Sequence, residues 1–429
     1  MLPSSRSLAD RILALRIYLI SVIFSGCPVL EINSEFRNIT CPNLCRCTAD
    51  HDIYCEKMGI EDLPPDLPPS AVSLNLAGNQ IRILHFDAFK FVPSLHILWL
   101  SQNNLTFLYP GVFIALNSLK ELNLSRNQRL TYLHAHTFRG LSSLLSLDLS
   151  HCNIFEIHPL VFTHLPSLEV LNLASNKIHY VPQALRKLHN VTRLSMENNF
   201  IEAIGKNSFK HQQALQALNL RRNQIWAIQH EAFNQLNKLS VLNLGHNSLS
   251  HLPNQLFSGL DQLKIMYLEA NRIDKINCSF NMLVNLKKLH LNNNLITHIT
   301  RNAFSDLKQL QFLHLNKNSL TSVPSYLFLH MPQLKSVYLS FNPWSCDCSM
   351  AWIATWMVDY KGIVQGLNCV FALSYKSTSE VFTGHGVTCP QEEITEDKCV
   401  ESLNDSASAL TDTSYIIFSI LIFFIGGLK

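Results

Sequence analysis

The pattern L-x-x-L-x-L-x-x-N recurs in register through most of this chain, at a step of about 24 residues. Its last position falls at Asn79, Asn103, Asn127, Cys152, Asn176, Asn199, Asn223, Asn247, Asn271, Asn294, Asn318 and Asn342. A unit this short cannot bury its own apolar face, so stacked copies must share one elongated core. The L-x-L pair reads as a short strand, with Leu pointing inward and the x residues on a concave face. The buried Asn side chain bonds backbone groups that the turn after the strand leaves unpaired. Cys152 is a small buried polar substitute in that slot. Composition agrees: the 429 residues include 69 Leu and 37 Asn but only 14 Gly. The fold expected is an α/β-type solenoid, a horseshoe with a parallel concave sheet and about 12 repeats.

A second column follows about ten residues after each Asn slot: Phe89, Phe113, Phe138, Phe162, Leu185, Phe209, Phe233, Phe257, Phe280, Phe304 and Phe328. From each of these to the next slot the interval is always 14 residues. Length varies only between slot and Phe, being 11 after Asn127 and 9 after Asn176 and Asn271. The rigid interval ties these rings to the buried Leu, so they read as a packed convex spine rather than a ligand-binding strip.

The ends and the cysteines set the compartment. Residues 1–26 carry Arg6, Arg11 and Arg16, then a short apolar run closing on Ser25-Gly26, which reads as a secretory signal peptide. Cys41, Cys45, Cys47 and Cys55 fall in a cap at 41–70, and the repeats occupy 71–342. Cys346, Cys348, Cys369 and Cys389 fall in a second cap at 343–399. Neither group contains a C-x-x-C zinc pair, and an exported chain favours disulfides. Six N-x-S/T sequons agree with export: Asn38, Asn104, Asn123, Asn190, Asn277 and Asn404. Cys152 and Cys278 stand five repeats apart, ~24 Å at one strand spacing each, beyond the ~7 Å reach of a disulfide. Cys27 can leave with the signal peptide; Cys399 has no evident partner. A polar spacer, 400–414, precedes an apolar tail, 415–429, whose run of 14 residues is short for a spanning helix. It fits a glycosylphosphatidylinositol signal with Asn404 as attachment site; a short membrane span is the alternative.

No nucleophile elbow, HExxH, P-loop or dinucleotide fingerprint stands in a usable context, so the chain reads as a non-enzyme without cofactor. Its 34 basic and 31 acidic residues are near balance along the chain, which argues against a nucleic-acid partner. Nineteen His lie mostly in variable or convex positions, and a zinc pair at His290 and His314 would lack a third ligand of the usual type.

Residues 41–390 resemble the extracellular leucine-rich repeat family with cysteine-rich flanks, which includes small leucine-rich proteoglycans, Slit and the Nogo receptor. The carrying features are the two Cys groups, the NPWSCDC motif with Trp352 and Trp356, and the repeat itself. The resemblance implies pairing of Cys41 with Cys47, Cys45 with Cys55, Cys346 with Cys369 and Cys348 with Cys389. The stretches NQRLTYLHAHTF, LDLSHC, VPQALRKLHNVTRL and IEAIGKNSF resemble a member found at retinal ON-bipolar synapses. That implies a synaptic organiser or adhesion role in vision, with a TRP-type cation channel or a metabotropic glutamate receptor as partner. A secreted matrix or growth-factor-binding protein is the alternative class. A pattern-recognition ectodomain ranks below both.

The partner surface is expected four places before each Asn slot. There Tyr267, His290, His314 and Tyr338 follow one another through four repeats, with Phe312 beside them. Earlier repeats carry small or amide residues at that place, Trp99 excepted. Exposed aromatics at strand spacing suit a protein interface; the plainer reading is that they pack on one another along the ladder. Asn123, between two inward Leu, should carry its glycan on the concave face, whereas Asn104 and Asn190 should leave it open.

Overall fold

The computed structural model describes residues 41–367, apart from Tyr326 and Cys346. Their framework is one 15-stranded sheet in which each L-x-L pair forms a three-residue strand. Every strand from Asp52–Tyr54 to Ile363–Gln365 runs parallel to its neighbour, residue on residue without slippage. Strand residues alternate half-buried, buried, half-buried, because period two sends every second side chain to the core. The horseshoe expectation holds. The opposite side carries two-residue strands and short 3-10 turns such as Val161–His164 and Gln183–Lys187. Among the described residues the one α-helix is Ala351–Asp359, in the C-terminal cap. Segments this brief on the outer side have no room for the nucleation an α-helix requires.

The Phe column is a packed spine. Phe89, Phe113, Phe138 and Phe162 are at most 1% exposed in the folded chain. Their ring centroids follow at 5.8, 6.3 and 6.3 Å, within the offset-stacking range. The run breaks at Leu185 and resumes from Phe209 to Phe304. At the break, buried Gln212 takes a Leu position and its Nε2 donates to the carbonyls of Leu185 and Leu188.

Each slot Asn works as a bracket between repeats. Asn223 Nδ2 donates to Leu220 O at 3.0 Å in its own turn and to Met196 O at 2.9 Å in the preceding one. Its Oδ1 accepts from Ile201 N at 3.0 Å. The residue before each slot is left-handed, with φ between 54° and 61° at eleven non-glycine positions from Gln102 to Phe341. That conformation turns the chain so that the amide points inward.

Cys152 and the extra residue after Asn127 prove to be one feature. In the other repeats the backbone N–H two residues past a slot donates to the next slot's Oδ1, as Leu105 does to Asn127 at 3.2 Å. The added residue moves this role to Leu130, whose N–H closes a local turn onto Asn127 O at 3.0 Å. The following slot therefore needs no acceptor, and a thiol suffices. Cys152 Sγ donates to Leu124 O at 3.4 Å. Burial pushes its pKa up to about 12, so it remains a neutral thiol.

Two disulfides close the N-terminal end. Cys41 pairs with Cys47 and Cys45 with Cys55, and Arg46–Cys47 pairs antiparallel with Asp52–Tyr54. At the other end Trp352 Nε1 donates to Val323 O at 3.1 Å, and Trp356 packs on Phe328 at 4.8 Å. Cys278 is disulfide-bonded and Cys152 is free, so these two do not pair. The pairings expected at Cys346, Cys369 and Cys389, the side chain of Cys348, and Cys27, Cys399, Asn38, Asn404, the signal and the tail lie outside the described residues.

Candidate protein-binding face

Four places before the slot, the sheet shows two different chemistries. At Asn75, Asn123, Asp148, Asn172, Asn219 and Asn243 a side-chain oxygen accepts the backbone N–H two residues ahead, at 2.8 to 3.1 Å. This local bond closes the strand end. These residues are turn-formers first, a role that sequence reasoning missed although the Asn/Asp identity signals it. Trp99 interrupts them and donates from Nε1 to Glu121 Oε1 at 2.8 Å.

From Tyr267 onward rings replace the closures. Tyr267, His290, His314 and Tyr338 are direct neighbours in the parallel register. Their centroids stand 4.6, 4.3 and 4.2 Å apart, and the last pair is 6° from coplanar. All four are half-buried, as is Phe312, over which Lys288 Nζ lies 5.2 Å from the ring centroid. Ring faces are thus spent on ring faces, and the ring edges reach solvent along the concave surface. Stacking and exposure coexist: the plainer reading of the column describes its faces and leaves its edges free.

Burial lowers the pKa of His290 from 6.5 to about 4, helped by His314 and then Lys288. His314 is lowered by burial and by Lys288. Both rings are neutral at physiological pH. In the unfolded chain His290 takes a proton near 6.5, whereas the folded chain resists it down to about 4. The stability this contributes is complete above 6.5 and is lost as pH falls through that window. The melting temperature should therefore drop between pH 7 and pH 4.5 (about the limits of that window), and His290→Phe should flatten the slope. An unchanged slope in that variant would remove His290 from the ladder's energetics.

A convex histidine cluster also escaped sequence reasoning, although His134 and His136 with His158 one repeat on were its signal. His136 Nδ1 lies 3.3 Å from His164 Nε2, and His134 stacks on His158 at 6.2 Å. Burial, then His136 and Arg139, lowers the pKa of His164. Among the described residues no group of three or more His, Cys, Asp or Glu is arranged to hold a metal.

Of the sequons, Asn123 stands on the concave strand Glu121–Asn123. Asn190 is exposed in the segment between the 3-10 turn Gln183–Lys187 and the strand Arg193–Ser195, with Nδ2 donating to Pro166 O at 2.8 Å. Asn104 and Asn277 are half-buried, and Ser279, which completes the latter sequon, is fully buried with its hydroxyl on Leu252 O at 2.7 Å.

A disulfide-capped solenoid with a continuous parallel concave sheet defines a protein-binding scaffold rather than an enzyme. The leucine rich repeat family profile matches residues 69–128, 93–154, 125–178, 146–201, 213–273 and 284–343, more than half of the chain. The chain belongs to the leucine-rich repeat family. It is 40% identical over 92 residues to Reticulon-4 receptor-like 2 of Rattus norvegicus, which covers 21% of this chain and 21% of that one. Against Leucine-rich repeat-containing protein 3 of Danio rerio it is 34% identical over 112 residues, covering 24% of this chain and 42% of that one. These matches span well under two thirds of either relative. Among solved structures, a chain of the octameric complex of Latrophilin 3, Unc5D and FLRT2 (LRR) superposes with a TM-score of 0.60 at 25% identity. That superposition covers 77% of this chain and 93% of the other. The chain is an extracellular-type leucine-rich repeat protein with a cysteine-rich N-terminal cap.

Proposed function

We propose that this protein stands at the cell surface and captures a partner protein through the C-terminal third of its concave face. The observation that carries the reading is the row Tyr267, His290, His314 and Tyr338, ring edges open at 4.2 to 4.6 Å spacing. Such a row places large, already ordered rings on an accessible surface, so little side-chain entropy is lost on docking. Phe312 extends the apolar contact. A glycan on Asn123 would cover the N-terminal half of the concave face and leave this row open.

Within the family the stretches named above resemble nyctalopin. That supports a synaptic organiser or adhesion role in retinal ON-bipolar signalling, with a TRP-type cation channel or a metabotropic glutamate receptor as partner. The apolar run at 415–428 supports attachment through a lipid anchor at Asn404. Release by phosphatidylinositol-specific phospholipase C is the expected result; retention would favour a short membrane span. Spontaneous appearance in the medium would favour a secreted matrix protein.

Tyr267→Ala combined with Tyr338→Ala should cut partner capture on cells by about tenfold or more, as expected of interface hot spots. Secretion and surface level should stay near those of the wild type. Unchanged capture would move the site to the convex side or the caps, and lost secretion would make the row structural.

A further inference from the structure

The chain's near balance of charge hides a local asymmetry. Between Asp274 and Asp347 the only acidic residue is Asp306, against seven Lys and Arg. The fold gathers three of these cations, together with Lys264 before them, at the strands that carry the stacked rings. Lys264 O accepts from Lys287 N and Lys288 N at 2.8 and 3.0 Å, and Lys287 O accepts from Gln311 N and Phe312 N. Lys335 N in turn donates to Gln311 O at 2.8 Å. Lys264, Lys287, Gln311 and Lys335 therefore form one row where the chain enters successive strands. Lys288 lies on the strand itself, two residues before His290 and on the same face.

All four lysines are exposed, and none has a carboxylate partner among the described residues. Glu269, at the near end of the ladder, is already engaged with Arg221 at 3.8 Å, and Arg221 with Glu197 at 3.2 Å. The middle of the concave face balances its charges; the ladder end does not.

We propose that this end of the concave face receives an acidic polypeptide segment, its carboxylates held by Lys264, Lys287, Lys288 and Lys335 beside the ring edges. The inference rests on the protein-binding reading above and names the chemistry of the partner. Aromatic edges carry the positive part of the ring quadrupole, so they favour the same carboxylates as the ammonium groups. A saccharide or a nucleic-acid base would need ring faces to stack on; both faces of His290 and His314 are covered by neighbouring rings, and the outer faces of Tyr267 and Tyr338 lie beside the strand neighbours Asn243 and Gln365. The row from Lys264 to Lys335 crosses four strands, ~15 Å, within reach of about five residues of extended chain.

The full-length protein, released from cells, is tested on two immobilised probes, a glutamate–tyrosine copolymer and heparin. Lys264→Gln, Lys287→Gln and Lys335→Gln are combined, since none of these side chains is in the core. The wild type should bind the copolymer, and binding should fall about tenfold in the triple variant and fall again as added salt screens the remaining charge. Equal binding by the triple variant overturns the inference, as does absence of copolymer binding. Heparin binding that depends on the lysines, without copolymer binding, replaces it with a sulfated-glycan site. Capture of the cell-surface partner separates the two levels. If the Tyr267/Tyr338 variant loses capture and the lysine variant keeps it, the docking face stands and its acidic partner does not. If neither variant loses capture, both fail.

Discussion

Phe233→Ala is expected to destabilise the solenoid by about 4 kcal/mol, within the range measured for burying and then deleting an aromatic ring. Phe233 has no exposed surface and sits between Phe209 at 6.1 Å and Phe257 at 6.3 Å. Its neighbours are held by the same 14-residue interval, so they cannot close the gap without dragging their strands. Each repeat is stabilised by its neighbours, and a void in the spine weakens two interfaces at once. Secreted yield and the thermal midpoint should both fall sharply. Phe155→Ala, at a ring 51% exposed on the outer surface, should change stability by about 0.5 kcal/mol or less. Similar behaviour of the two variants would contradict the spine.

Asn223→Ala should cost about 3 kcal/mol, because it leaves the buried Ile201 N–H without an acceptor and removes a donor from Leu220 O and Met196 O. Cys152→Ala, at the equivalent slot, should cost about 1 kcal/mol or less, since no backbone N–H depends on it. Denaturant unfolding of the two variants checks the contrast. The coupling has a further consequence. Deleting Arg129 restores the ordinary spacing and should be tolerated better in a Cys152→Asn background than alone. Equal effects in both backgrounds would separate the insertion from the cysteine.

The period of the sequence made the sheet, the Asn brackets and the Phe spine legible, because a fixed step admits one stacking. It also placed Tyr267, His290, His314 and Tyr338 on one face, since neighbouring strands share register wherever the slots align. What it could not reveal depended on partners rather than position. The tolerance for Cys152 rests on where the Leu130 N–H goes, and that requires the turn geometry. The structural use of Asn123 and its equivalents was hidden because an amide on a concave strand looks the same whether it meets solvent or its own backbone. The lysine row was masked by counting charge over the whole chain, when the relevant unit is a few adjacent strands. The period left the form of the outer side open, where 3-10 turns and two-residue strands suffice to return the chain.

The central claim is that partners dock at the ring edges of the concave ladder. Its most direct test is photo-crosslinking from cells bearing a benzoylphenylalanine at one position at a time. The concave position is Phe312, beside the ladder; the outer positions are Phe155 and Leu160, both exposed. The account predicts a covalent partner band from position 312 that disappears when Tyr267 and Tyr338 are also changed to Ala. Crosslinks confined to positions 155 and 160 would contradict it.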